Sequence, residues 1–212
     1  LSKIGKPVEA LESYEKARAI QEKLVDTNPE VAEFRRDLSW SHSNSALVLH
    51  ATGRLGEALE STEKSRGILR KLVEAHPAPD YQIDLARRHK QVGELLQEIG
   101  KPVEALASYE EARATCQKLV AANPAVTDFQ RELAASHHNI GRIRKSTGKL
   151  GEALESYENA RSIRQKLVAA NPAVTDFQSA LADSQFSIGN VLRETGKLGE
   201  ALESYEKARA IY

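Results

Sequence analysis

Methionine is missing from the 212 residues, even at position 1, and cysteine occurs once, at Cys116. A lone thiol cannot close an internal disulfide, so the fold rests on packing, which suits a reducing compartment such as the cytoplasm. Without an initiator, the chain is expected to be a segment of something longer. Net charge is missing too. Thirty basic and thirty acidic side chains cancel, which argues against nucleic-acid binding by a bulk basic surface. Apolar runs are only a few residues long, so neither a membrane-inserting helix nor a signal-peptide core is present. Aromatics make up 5% of a chain that is 41% hydrophobic, enough to bury a real core.

What the chain does have is repetition. The string Gly-Lys/Arg-x-x-Glu-Ala-Leu-Glu/Ala-Ser starts at Gly5, Gly53, Gly100, Gly148 and Gly196, in steps of 48, 47, 48 and 48 residues. A second landmark keeps phase with it: Asn28-Pro29, His76-Pro77, Asn123-Pro124 and Asn171-Pro172. The short step falls in the loop after Pro77, where a deletion leaves both flanking helices in register.

Each period contains two helical patterns. Leu154, Tyr157, Ala160, Ile163 and Leu167 recur at steps of three and four, one face of a helix that the Asn-Pro pair then stops. Pro7 and Pro102 suit its first turn, where a missing N–H costs nothing. Phe129, Leu133, Ile140 and Ile143 mark one side of the second helix. The spacing of Thr127 with Gln130, and of Thr175 with Gln178, predicts capping boxes at its start. No segment alternates with period two, so no sheet is expected. Neither helix can bury its stripe alone, and pairs must stack on their neighbours as in a solenoid.

These residues resemble the tetratricopeptide repeat. With Gly148 as the turn glycine, Gly141 falls on the small helix-crossing position, and Ala153, Tyr157 and Ala160 on the small, aromatic and small positions of the following helix. Gly93, Ala105, Tyr109 and Ala112 repeat the pattern, as do Gly189, Ala201, Tyr205 and Ala208. Ala46 and Thr62 depart from it, and His42, His89, His137 and Gln185 stand where the family has a bulky residue. The period of about 48 exceeds the usual 34, as in the long-helix arrays of bacterial multidomain proteins, some appended to serine/threonine kinase domains. The resemblance implies an all-α, right-handed superhelical solenoid of antiparallel helix pairs over residues 1–212.

No chemistry emerges from the decoys. Six residues separate Gly141 from Gly148, and Leu150 follows Lys149, unlike a phosphate-binding loop. The in-phase histidines, joined by His138, would lie on the order of 10 Å apart, the spacing of packed helices, too far to share one metal ion; they read as packing residues. Cys116 has Thr115 and Gln117 beside it rather than a base, and reads as an incidental surface or half-buried thiol. Neither an enzyme nor a cofactor site is expected.

The resemblance places function on the concave face, lined by the first helix of each pair. Its candidate residues are Trp40, Asn44, Arg87, Lys90, His138, Asn139, Arg142, Phe186 and Asn190. Trp40 and Phe186 stand outside the repeating aromatic phases and read either as interface anchors or as gap fillers. Asn44, Asn139, Lys90 and Arg142 match only in type the residues that grip a terminal carboxylate in some tetratricopeptide proteins. The expected function is a non-enzymatic scaffold binding a peptide or protein segment in the groove. The alternatives are an array stacking end to end as filament or spacer, and the regulatory arm of a multidomain enzyme such as a kinase. Two further expectations concern single features. Arg144, in a phase held elsewhere by Leu49, Leu96 and Leu192, should pack its stem and meet a carboxylate or reach outward. The stripe Leu202, Tyr205, Ala208 and Ile211 should be open for further repeats or for a head-to-tail neighbour.

Overall fold

The computed structural model describes residues 6–211; Gly5 and the residues before it lie outside them. Nine helices and no strand occur among the described residues. They are α1 (Pro7–Thr27), α2 (Ala32–Ala51), α3 (Leu55–Ala75), α4 (Pro79–Glu98), α5 (Pro102–Ala122), α6 (Thr127–Ser146), α7 (Leu150–Ala170), α8 (Thr175–Glu194) and α9 (Leu198–Arg209). The even-numbered helices are the first of each pair. The chain divides into two compact units, with the boundary inside α5 between Ser108 and Tyr109.

Local chemistry sets the helix ends. Gly53, Gly100, Gly148 and Gly196 have φ of 76° to 80°, a left-handed conformation that glycine adopts without a Cβ penalty. After α2, the Gly53 amide donates to the His50 carbonyl and the Arg54 amide to that of Leu49, both at 2.9 Å. That pattern satisfies the last carbonyls and turns the chain, and it recurs at the other three glycines. Where Asn precedes proline, the helix stops one residue earlier, and the side chains of Asn28 and Asn171 donate to the carbonyls of Leu24 and Leu167, each at 3.1 Å.

The expected capping boxes do not form. Thr127 and Thr175 lie inside their helices, the flanking residues are Val126 and Val174, and neither helix start has a side-chain cap. Gln130 and Gln178 instead donate to the loop carbonyls of Pro124 and Pro172, as Gln82 does to Pro77. The glutamine spacing belongs to a loop clasp. A proline lacks an N–H but keeps its carbonyl, and the amide reaches back to it.

In unit 1, α1 packs on α2, α2 on α3 and α3 on α4; in unit 2, α6 packs on α7, α7 on α8 and α8 on α9. Leu69, Leu72 and Leu85 form one buried cluster of the first unit, and Leu49, Ala58 and Leu95 another. Ala153, Tyr157, Ile188, Val191 and Leu192 form that of the second. Gly141 is the helix-crossing position: a Cβ there would lie 2.8 Å from the Tyr157 ring, closer than packed atoms tolerate. Cys116 is fully buried, which corrects its reading as a surface or half-buried thiol. Its phase is a core phase, shared with Leu69 and Arg164, and a small apolar thiol suits it.

Candidate functional site

In unit 1 the first helices α2 and α4 lie side by side and are tied by residues about one repeat apart. The Tyr81 hydroxyl donates to Glu33 at 3.1 Å, Arg36 Nε to Asp84 at 2.8 Å, Ser43 to Gln91 at 3.4 Å, and His50 pairs with Glu98 at 2.8 Å. Asp84 is buried and also accepts from Arg87 at 3.3 Å. A buried carboxylate needs such partners. Arg36 lies over two rings, 4.9 Å from the Trp40 centroid and 5.6 Å from that of Tyr81.

Trp40 sits among these ties with 45% of its surface exposed, and Leu47, two turns further along α2, is 55% exposed. Asn44 between them is exposed as well. Below this stripe, α2 buries an unusual run of hydroxyls: Ser39, Ser41, Ser43 and Ser45. Ser39 and Ser65 hydrogen-bond across to α3 at 2.8 Å, Arg18 reaches Ser45, and Arg88 reaches Ser43. The buried polar side of α2 is held, and its apolar pair faces solvent. Arg87 and Lys90 on α4 are half-buried beside it.

Unit 2 uses the same phases differently. The His138 ring meets that of Tyr157 at a tilt, with centroids 5.2 Å apart, and Phe186 meets Tyr205 in the same way at 5.5 Å. The Tyr205 hydroxyl donates to Asn190 at 2.9 Å. Asn139 is buried, whereas Arg142 is exposed and Phe186 is 55% exposed. Four of the nine predicted residues thus belong to unit 1 and five to unit 2. Within unit 1, Trp40 and Asn44 share one open stripe. His138 and Phe186 double as lids on the repeat tyrosines, and Asn139 has little surface to offer a ligand.

The electrostatics are those of a neutralised interior. Burial holds His42, His89 and His137 down to about 4, reinforced by Arg18 and Lys64, by Arg66 and Arg70, and by Arg113 and Arg144 respectively. His138 falls to about 3 through burial and the nearby Arg164 and Arg142. All four are uncharged at neutral pH. No group of three or more His, Cys, Asp or Glu among the described residues is arranged to hold a metal ion. No described helix is long and apolar enough to cross a membrane.

Sequence reasoning missed two elements. Arg36, Tyr81 and Asp84 build the surroundings of Trp40, and their trace was available as complementary residues about one repeat apart. Arg164 is buried and donates to the Ala180 carbonyl at 2.7 Å and to Ser184 at 2.8 Å, with His138 at 3.4 Å. Desolvation lowers its pKa to about 10. Its phase holds Gln21, Leu69 and Cys116 in the other copies, which gives no sign of a buried cation.

The family model of the tetratricopeptide repeat matches residues 132–212. No curated protein sequence matches the chain. Among solved structures, BtubC (BKLC) from P. vanneervenii is 17% identical, covering 97% of this chain and 90% of its own, with a TM-score of 0.67. TPR-like repeats assigned to a kinesin light chain of Podosopora anserina are 23% identical, with 99% and 89% coverage and a TM-score of 0.69. The Rap protein complexed with Competence and Sporulation Factor is 15% identical, with 95% and 49% coverage and a TM-score of 0.63. At such identities the likeness is one of fold.

Proposed function

We propose that this chain, a tetratricopeptide-like repeat protein, is a non-enzymatic scaffold that takes a peptide or protein segment on its first-helix face. The observation that carries the reading is the open stripe of α2, where Trp40 and Leu47 stand 45% and 55% exposed on a helix whose other large apolar residues are buried or half-buried. A solvated tryptophan held in place by a stacked guanidinium is an anchor with little left to lose in rotamer freedom. Arg87, Lys90 and Glu94 in the facing phases of α4 give the rim both signs of charge, which fits a mixed-charge segment with apolar side chains. The Rap structure with its bound factor is a precedent for ligand binding by this fold.

The test is selection of binding peptides from a displayed library on the whole chain, followed by affinities for Trp40→Ala and Leu47→Ala. Each substitution should weaken the selected peptides about tenfold or more, the loss expected of an interface anchor. Peptides that bind both variants with unchanged affinity would contradict the reading.

End-to-end stacking is supported by a separate observation. Leu198 and Leu202 of α9 are 65% and 60% exposed, and residues 200–211 repeat residues 9–20 letter for letter. Tyr205 and Ala208, expected on the same open stripe, face α8 instead: a Cβ on Gly189 would lie 2.6 Å from the Tyr205 ring, and Ala208 is buried. Leu202→Lys is therefore the informative change. Light scattering should show concentration-dependent association that this substitution abolishes, and a monomer at every concentration would remove stacking.

A further inference from the structure

The repeat carries the same acceptors at one phase in every copy; Arg144 fills them once, in unit 2, and leucine stands there in the other three. In unit 2 the Arg144 guanidinium lies between α5 and α7. It donates to Ser156 Oγ at 3.0 Å and pairs with Glu152 at 3.4 Å and Glu110 at 3.8 Å. Its stem runs through a half-buried position, and Ser156 can accept because its own proton goes to the Glu152 carbonyl at 2.8 Å. In unit 1 the corresponding residues are Glu15 on α1, and Glu57 and Ser61 on α3. Leu49 stands where Arg144 would be. All four line a cavity of about 590 Å³ between α1 and α3. The acceptors of the clamp are in place, with Glu15 at 4.0 Å from Arg18 and Glu57 at 2.5 Å from Arg54, and no cation stands in the Arg144 phase itself.

Three further features of the cavity favour a visiting cation. Five glutamates line it against three cations, Arg18, Arg54 and Lys64, which pair with Glu15, Glu57 and Glu60 and leave Glu12 and Glu22 in excess. Glu12 and Glu22 occupy positions that are Ala107 and Gln117 on α5, so unit 1 adds carboxylates where it removes a guanidinium. Ser45 also lines it, where α6 has the larger Ile140. Leu11 and Leu49 also line it, which suits the methylene stem of an arginine. Ser61 donates its proton to the His42 carbonyl at 2.9 Å, leaving lone pairs open as on Ser156. Arg18 does not forbid a second guanidinium, because its counterpart Arg113 and Arg144 both lie near the half-buried His137. Arg54 already pairs with Glu57, and the incoming group shares that carboxylate as Lys149 and Arg144 share Glu152.

We infer that the cavity between α1 and α3 is a guanidinium-binding site that accepts an arginine side chain in the place Arg144 fills in unit 2. Neither Trp40 nor Leu47 lines it, so it is a second site, independent of the first-helix face.

The experiment is an amide NMR titration of the whole chain with N-acetyl-arginine methylamide, N-acetyl-lysine methylamide and the peptide acetyl-Gly-Gly-Arg-Gly-Gly-amide. The arginine amide should give saturable shifts at Glu15, Leu49, Glu57 and Ser61, and the lysine analogue should bind about tenfold more weakly, lacking the planar fork. Binding of the free amide alone assigns the site to small guanidinium compounds; binding of the peptide as well assigns it to arginines in protein segments. Leu49→Arg should occupy the clamp from within and abolish the shifts. Glu57→Gln and Glu15→Gln lie on solvated side chains, keep the fold, and should weaken binding about tenfold in their own right. Non-saturable shifts, equal response to arginine and lysine, or unchanged binding in Glu57→Gln with Glu15→Gln would overturn the inference.

Discussion

Ala46 with Thr62 in unit 1 and Gly141 with Tyr157 in unit 2 occupy the same two phases, and the contrast shows how this fold varies. In unit 2 the glycine leaves room for the tyrosine ring, 2.8 Å from where its Cβ would be. In unit 1 the methyl of Ala46 takes part of that room and the side chain across the helix pair shrinks to threonine. Both members of both pairs are buried. In the sequence, Ala46 and Thr62 look like two separate lapses from the motif. They are one coupled change between packed helices: the added methyl closes the space that the ring needs, and the smaller threonine fits beside it.

The largest expected effects come from breaking that pairing on one side. Gly141→Ala should cost about 2–3 kcal/mol in denaturant unfolding, because the added methyl meets a fully buried ring that has little room to move. Gly189→Ala should cost less, about 1 kcal/mol, although its contact is shorter, because Tyr205 is half-exposed and can swing away. Combining Gly141→Ala with Tyr157→Thr rebuilds the unit 1 pair, and the glycine change should then cost almost nothing. A coupling below about 0.5 kcal/mol would show that the two positions do not compensate.

A second difference within the same phases is pH-dependent. His42, His89 and His137 sit at about 4 in the folded chain, and their fourth counterpart is Gln185. The unfolded chain binds these protons near the ordinary histidine value of 6.5, so between the two values it holds more protons than the folded state. The stability that depends on the neutral rings is therefore present above 6.5 and lost as pH falls toward about 4. His138, at about 3, extends the loss to lower pH. Replacing His42, His89 and His137 by Gln, the residue already accepted at the fourth position, should flatten the fall in melting temperature between neutral pH and about pH 4. Identical pH profiles for the variant and the parent would refute the assignment.

The smallest effect is expected at Arg144. Its carboxylate partners are half-solvated and survive its removal without burial cost, and leucine already fills this phase in three repeats. Arg144→Leu should change stability by no more than about 1 kcal/mol in either direction. A larger loss would make the clamp structural in unit 2.

The fold was legible because each level of the sequence agrees with the next. Glycine at the turn, Asn-Pro at the helix end and apolar steps of three and four all describe the same helix pair, and Arg144 met its carboxylates as the phase suggested. The capping boxes misled because Thr and Gln at that spacing serve equally well as a cap or as a clasp on a proline carbonyl, and only the backbone decides. The exposure of Trp40 was legible, because it breaks the aromatic phase that the core uses. The candidate site was less legible at Asn139 and His138, where a polar residue in a groove phase turned inward. Burial of a polar group depends on partners from other helices, and those partners come from distant sequence. Arg164 shows the same limit in reverse, since nothing adjacent to it announces the Ala180 carbonyl and Ser184 it serves.

Trp40 is the sole tryptophan of the chain, which makes the first-helix face directly observable. With 45% of its surface in solvent, its emission should be long in wavelength and readily quenched by iodide in the free protein. Saturating the chain with a selected binding peptide that lacks tryptophan should shift that emission to shorter wavelength and protect it from iodide. Saturation by tightly bound peptide with neither the shift nor the protection would contradict the claim that this face is where the protein receives its partner.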